Sequence, residues 1–188
     1  MAPFLTLYTP TFRRPRSLVA CLASVQAQTV VEQIEHLVIV DHCGKGIGGM
    51  YAAIPQYRAA VHGDYVYVLS DDDVLASTDA VERLVAYVRE QDFPDVVICT
   101  ARYGHYPWLP LPSQVARLAT EGPLHGAIGL PNIITRGDVW RARCDQYGQA
   151  YDGDYTFLRH LWDARCRFEH WPFHFATGPC GGGQPERA

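Results

Sequence analysis

Two acidic clusters and one glycine-rich run hold the residues of this chain best suited to chemistry. Ser70-Asp71-Asp72-Asp73 follows directly on the apolar run Tyr65-Val66-Tyr67-Val68-Leu69. Three adjacent carboxylates repel one another unless they share a cation. Mg²⁺ and Mn²⁺ prefer oxygen ligands and take one or two carboxylates together with substrate phosphates, so the triplet reads as the holder of a nucleoside diphosphate through Mn²⁺ or Mg²⁺. The competing reading is a solvated acidic turn that caps the next helix, where the helix dipole favours aspartate. Asp152-Gly153-Asp154 stands at the start of a later helical pattern, and capping alone would account for it. Gly44-Lys45-Gly46-Ile47-Gly48-Gly49 matches Gly-x-Gly-x-x-Gly between a strand and a helix, with Asp71 near the distance expected of a ribose contact. That spacing points to a dinucleotide such as NAD. Against it, Asp41 lies where a pyrophosphate would approach, Pro55 interrupts the helix, and Asp72 and Asp73 are left unexplained.

Apolar periodicity supplies the elements that must position these groups. Strands are expected at about 4–8, 36–40, 65–69 and 96–100, and helices at about 15–27, 51–61 and up to residue 90. The helix over 15–27 turns Leu18, Cys21, Leu22 and Val25 to one face, and the one ending at 90 turns Val81, Leu84, Val85 and Val88 inward after a Ser77-Thr78-Asp79 cap. Strand and helix alternate through the first hundred residues. Such alternation predicts a mostly parallel sheet flanked by helices, a three-layer α/β/α arrangement that binds ligands at the carboxyl ends of its strands. Beyond residue 100, Pro107, Pro110, Pro112, Pro123 and Pro131 predict loops and short elements, apart from a short strand at 132–135 and a helix at 155–165.

Composition narrows the classes. The chain has 188 residues, 16 Lys plus Arg against 20 Asp plus Glu, a formal charge of −4, and 48% hydrophobic residues. This is enough to build one core and excludes disorder as the main state. No apolar run approaches the roughly 20 residues that cross a bilayer, and no basic segment leads a long apolar one at the start. The expected location is cytoplasmic, with no membrane insertion. Six dispersed cysteines without a Cys-x-x-Cys pair read as reduced, mostly buried thiols. Negative net charge argues against nonspecific nucleic-acid binding, although Arg13, Arg14 and Arg16 form a local basic group. Residues 178–188, with Gly181-Gly182-Gly183, have the composition of a flexible end, which leaves one domain over 1–177.

Four segments, in order, resemble the nucleotide-sugar-dependent glycosyltransferases of the GT-A fold, especially the family 2 type. Thr9-Pro10-Thr11-Phe12-Arg13-Arg14 is similar to that family's Thr-Pro-Thr-Tyr-Asn-Arg opening beside the nucleotide. Val38-Ile39-Val40-Asp41 is similar to the strand whose terminal aspartate contacts the base. The run from Gly63-Asp64-Tyr65 to Asp71-Asp72-Asp73 resembles the strand leading into the Asp-x-Asp metal motif, and Tyr151-Asp152-Gly153-Asp154-Tyr155 resembles the Glu-Asp motif that supplies the base in inverting members. Asn132-Ile133-Ile134-Thr135-Arg136 is similar to the segment before the acceptor-side helix.

The resemblance implies a GT-A fold and a metal-dependent transfer of a sugar from a UDP-linked donor to an acceptor hydroxyl with inversion. Thr9, Pro10, Thr11, Arg13, Asp41, Asp71 and Asp72 would bind the nucleotide sugar. Asp72, Asp73 and the late histidine His174 would hold Mn²⁺ or Mg²⁺, with His170 the weaker alternative. Asp154 would be the base, with Asp152 second. The sequence departs from the family where Ser70 replaces the first aspartate of the metal motif and His42-Cys43-Gly44 replaces Asp-Gly-Ser. The acceptor implied is soluble and bears a hydroxyl: a glycoside, a protein or a modified nucleic-acid base, with Tyr103, Tyr106 and Trp108 available for stacking. The alternatives are the dinucleotide-binding oxidoreductase and a noncatalytic module of the same fold.

Overall fold

Alternation of apolar side chains along the strands builds two cores on one sheet. In the computed structural model, which describes residues 2–42, 44–104 and 108–179, the elements run β1 (Leu5–Thr11), α1 (Pro15–Gln26), β2 (Ile34–Val40), α2 (Gly46–Ala53), β3 (Tyr65–Val68), β4 (Val74–Leu75), α3 (Ala80–Glu90), β5 (Val96–Tyr103), α4 (Pro112–Glu121), β6 (Ile133–Arg136), α5 (Gly137–Arg143), α6 (Gly153–Asp163) and β7 (Phe168–Gly178). Successive strand residues face opposite ways. Leu5, Leu7, Tyr65, Tyr67, Val97 and Cys99 therefore meet Cys21 and Val25 of α1 and Val81, Leu84 and Val88 of α3. Tyr8, Val66, Val68, Val96 and Ile98 meet Tyr51 of α2, Leu118 of α4, Trp140 of α5 and Phe157, Leu158 and Leu161 of α6. Burial on both faces is why these strands read as continuous apolar runs. The chain is an α/β protein with three layers, a sheet covered by helices on both faces.

The sheet order is β2-β1-β3-β6-β5-β7-β4. β1 pairs parallel with both β2 and β3, and β7 pairs parallel with β5. β6 runs antiparallel between β3 and β5, and β4 runs antiparallel on the far edge of β7. The carboxyl ends of β1, β2, β3 and β5 consequently open on one rim.

Several expected boundaries shift for physical reasons. β1 continues through Pro10 to Thr11, because β3 pairs only as far as Tyr8 and the missing N–H of Pro10 costs no ladder bond on that side. The glycine-rich segment enters α2 at Gly46, and the chain tightens to a 3-10 helix over Ile54–Ala60, with Pro55 in its first turn. α4 emerges from the proline-rich stretch expected to be loop. Pro112 takes the first helical position, where its fixed φ suits the helix, and Gln114 Oε1 accepts the Leu111 N–H at 2.7 Å. Gly178 belongs to β7, which moves it from the expected tail into the sheet. Residues 180–188 lie outside the described residues. Cys21, Cys99, Cys144 and Cys166 are free thiols, the first three buried, while Cys43 and Cys180 fall outside the described residues.

Candidate active site

The rim formed by the strand ends opens into a cleft of about 670 Å³. Pro10, Thr11 and Asp41 line it from β1 and the end of β2, Asp71, Asp72 and Asp73 from the turn after β3, and Asp152, Asp154 and Tyr155 from the start of α6.

The acidic turn is closed by the Asp73 N–H donating to the Ser70 carbonyl at 3.0 Å, after which the chain enters β4. Asp71 and Asp73 are each only 3% exposed. A solvated helix cap is thereby replaced by a buried cluster, and α3 begins later with Asp79, whose carboxylate accepts from Ser77 and Arg83. Arg14 Nη1 lies 2.7 Å from Asp71 Oδ1 and 2.9 Å from Asp72 Oδ2. Two other oxygens of the triplet, Asp71 Oδ2 and Asp73 Oδ2, are buried with no hydrogen-bond partner among the described residues. Burial, with Asp72 and Asp71 alongside, pushes the Asp73 carboxyl up to about 7. Gly178 makes room for this side chain, since a β-carbon there would run into Asp73 Oδ1.

Across the cleft, Asp152 is the N-cap residue of α6 and Asp154 lies in its first turn. Asp154 Oδ1 accepts the Tyr155 N–H at 2.7 Å and Oδ2 accepts the Leu130 N–H at 2.9 Å, so the turn before β6 holds the carboxylate in place. Burial raises its pKa against these donors. Asp152 is more open, with Oδ2 3.5 Å from His125 Nε2. The His125 ring stands edge-on to Tyr155 at 5.0 Å. Tyr51 stacks on Tyr147, which stacks in turn on Phe157, and the buried Tyr51 hydroxyl has no well-formed hydrogen bond among the described residues.

Of the residues singled out in the sequence, Pro10, Thr11, Asp41, Asp71, Asp72, Asp73, Asp152 and Asp154 share the cleft. Thr9, Arg13 and His174 are not among its lining. Thr9 is buried against β2, its Oγ1 2.9 Å from His36 Nε2. Arg13 is exposed at a φ of 54° with its guanidinium over the Phe12 ring. His174 packs edge-on against Trp108 at 4.1 Å and places Nε2 3.0 Å from Thr177 Oγ1. Tyr103 lines the cleft, Trp108 does not, and Tyr106 lies outside the described residues.

Sequence reasoning gave no role to Arg14, Tyr51 or His125. A buried acidic triplet demands a counter-charge, which could have prompted a search for an arginine. The chain has many, however, and only the fold selects Arg14. Within the glycine run, a β-carbon at Gly48 would meet the Gln149 carbonyl oxygen and one at Gly49 the Lys45 side chain, whereas Gly46, at a φ of 69°, lines the cleft.

The donor set suits a hard divalent cation. It offers carboxylate oxygens only, two of them buried and unpartnered. Among the described residues no group of three or more His, Cys, Asp or Glu side chains is placed to hold a metal ion by itself. Mg²⁺-type sites characteristically complete their shell with water and substrate phosphate.

No protein-family model and no curated protein sequence matches the chain. Its fold matches solved structures. S. aureus TarS superposes with a TM-score of 0.69 at 12% identity, over 93% of this chain and 36% of that one. TarS 1-349 in complex with UDP-GlcNAc gives 0.66 at 13% identity over 96% and 60%, and the complex with UDP gives 0.66 at 12% over 93% and 60%. The chain thus spans between about a third and three fifths of these neighbours. At such identity the likeness establishes the shared fold.

Proposed function

We propose that the protein is a glycosyltransferase that moves a sugar from a nucleoside-diphosphate donor, UDP-linked by analogy with its structural neighbours, to an acceptor hydroxyl with inversion. The observation that carries this reading is the placement of two separate acidic groups, the Asp71–Asp73 turn and Asp154, in one cleft at the carboxyl ends of the strands. The TarS complexes with UDP and UDP-GlcNAc support a nucleotide-sugar donor.

In this reading Asp41 faces the base, Pro10 and Thr11 flank the nucleotide, and carboxylates of the Asp71–Asp73 turn would hold Mn²⁺ or Mg²⁺ together with the diphosphate. The bound cation supplies neutralisation of the charge that develops on the departing diphosphate. Asp154 accepts the proton of the acceptor hydroxyl as that oxygen attacks the anomeric carbon and the bond to the diphosphate breaks. The Leu130 and Tyr155 N–H groups hold the carboxylate in one orientation, and each oxygen keeps a lone pair for the proton. His174, proposed from the sequence as a further ligand, is not among the residues lining the cleft. The acceptor is a hydroxyl-bearing soluble molecule.

The test is thermal unfolding with UDP, GDP, CDP, dTDP and NAD, each with and without Mn²⁺, alongside release of UDP from UDP-GlcNAc. UDP with Mn²⁺ at 100 times its dissociation constant is expected to add about 2.7 kcal/mol. Asp72→Ala should abolish the metal-dependent part. Asp154→Asn should keep the UDP shift and lower sugar transfer or hydrolysis by about 10²–10⁴-fold. Stabilisation by NAD without metal, unaffected by Asp72→Ala, would overturn the reading.

A further inference from the structure

The acidic turn reaches the folded state already neutralised in part by a side chain from another element. Arg14 is the N-cap residue of α1, and its carbonyl accepts the Leu18 N–H at 3.0 Å, so the start of the helix fixes its backbone. Its side chain is 12% exposed, and one guanidinium nitrogen spans an oxygen of Asp71 and an oxygen of Asp72. Two further oxygens, Asp71 Oδ2 and Asp73 Oδ2, are buried without a hydrogen-bond partner among the described residues. The cluster is therefore divided. One oxygen each of Asp71 and Asp72 faces the resident guanidinium, and one each of Asp71 and Asp73 is buried without a partner among the described residues.

We infer that Arg14 is an internal counter-ion that competes with the divalent cation for Asp71 and Asp72, so that cation and nucleotide load together rather than separately. The inference rests on the cation site of the proposed function and goes beyond it by assigning a positioning residue and an order of loading. A divalent ion bound to these carboxylates places two positive charges beside a guanidinium, and a small hard cation demands several oxygens at close range. Arg14 must withdraw from at least one carboxylate before that shell can form. A diphosphate favours the exchange twice over. Its oxygens complete the shell of the cation, and its negative charge receives the released guanidinium, which prefers phosphate in a planar two-point contact. Arg14 lines the same cleft, so it stays near the exchange. With no diphosphate present, the guanidinium holds its carboxylates and keeps cation affinity low.

The experiment counts free Mn²⁺ by electron paramagnetic resonance during titration of wild type, Arg14→Gln and Arg14→Lys, each with and without UDP. Wild type is expected to bind Mn²⁺ weakly alone and at least tenfold more tightly with UDP. Arg14→Gln is expected to bind Mn²⁺ alone at least tenfold more tightly than wild type and to lose most of the enhancement by UDP. Should Arg14→Gln fail to fold, Arg14→Lys keeps the charge on a shorter stem and is expected to tighten Mn²⁺ several-fold. A merely structural arginine would leave Mn²⁺ affinity unchanged or weaker in its variants, and either result overturns the inference, as does the absence of Mn²⁺ binding to every protein. UDP binding to wild type scores the donor reading separately. If UDP binds and the Arg14 variants leave Mn²⁺ affinity unchanged, only the role of Arg14 falls. If UDP never binds while Arg14→Gln tightens Mn²⁺, only the donor reading falls.

Discussion

Asp154 shows how one carboxylate is prepared for two demands that pull apart. The N–H donors of Leu130 and Tyr155 favour its charged form, yet burial outweighs them and raises its pKa above the usual 3.8. In its proposed role as base it must be ionised to accept a proton, so turnover should fall as pH drops through a value above 3.8. The same shift has a cost for the fold. Between 3.8 and its raised value the folded chain binds more of this proton than the unfolded chain, so the contribution of Asp154 to stability declines as pH rises through that window and is constant above it. A pH profile of kcat/KM checks the assignment: Asp152→Asn should retain the acid limb of wild type, and loss of that limb in Asp152→Asn would move the base to Asp152. From sequence, Asp152 and Asp154 were both legible as candidates, because each stands at a helix start. Their difference in burial was not legible, since it depends on the Leu130 turn packing over one and open cleft beside the other.

At the scale of elements, the site depends on close approach between α6 and α2. Gly153, the first residue of α6, lies where a β-carbon would meet both the Gly148 carbonyl oxygen and the Tyr51 ring. Backbone and a stacked ring have little room to give, so Gly153→Ala should cost about 1–3 kcal/mol through overpacking. It should also lower turnover per folded molecule, because Asp152 and Asp154 flank it. Gly129→Ala is the control from the same cleft: its β-carbon would meet nothing closer than 3.8 Å, and its φ of −109° suits any residue. Its stability should stay within about 1 kcal/mol of wild type. Urea denaturation followed by circular dichroism measures both. Strands β1, β2, β3 and β5 and the helices α1, α3 and α6 were readable because their apolar periods are regular. β4 was not, being only two residues and existing through its pairing with β7. α4 was hidden because Pro112, read as a breaker, instead starts the helix.

For the whole molecule, two cores share a single sheet, with strand residues alternating between them. Removing packing from either core should therefore weaken the same cooperative unit. Leu84→Ala beneath α3 and Leu158→Ala beneath α6 are each expected to cost about 2–5 kcal/mol, and each should keep one transition, with fluorescence and circular dichroism coincident during urea unfolding. Their activities should differ. Leu158→Ala loosens the helix that carries Asp154, whereas Leu84→Ala acts on the opposite face of the sheet. Taken alone, the sequence determined the layered α/β class, the acidic turn at a strand end and the second acidic pair at a helix start, because periodicity and local charge are written in neighbouring residues. Tertiary structure alone decided that β6 inserts antiparallel between β3 and β5, that Arg14 meets Asp71 and Asp72, and that Thr9, Arg13 and His174 are not part of the cleft lining. Those outcomes depend on pairings between residues tens of positions apart, and local sequence carries no record of which distant partner a buried charge or a short strand will find.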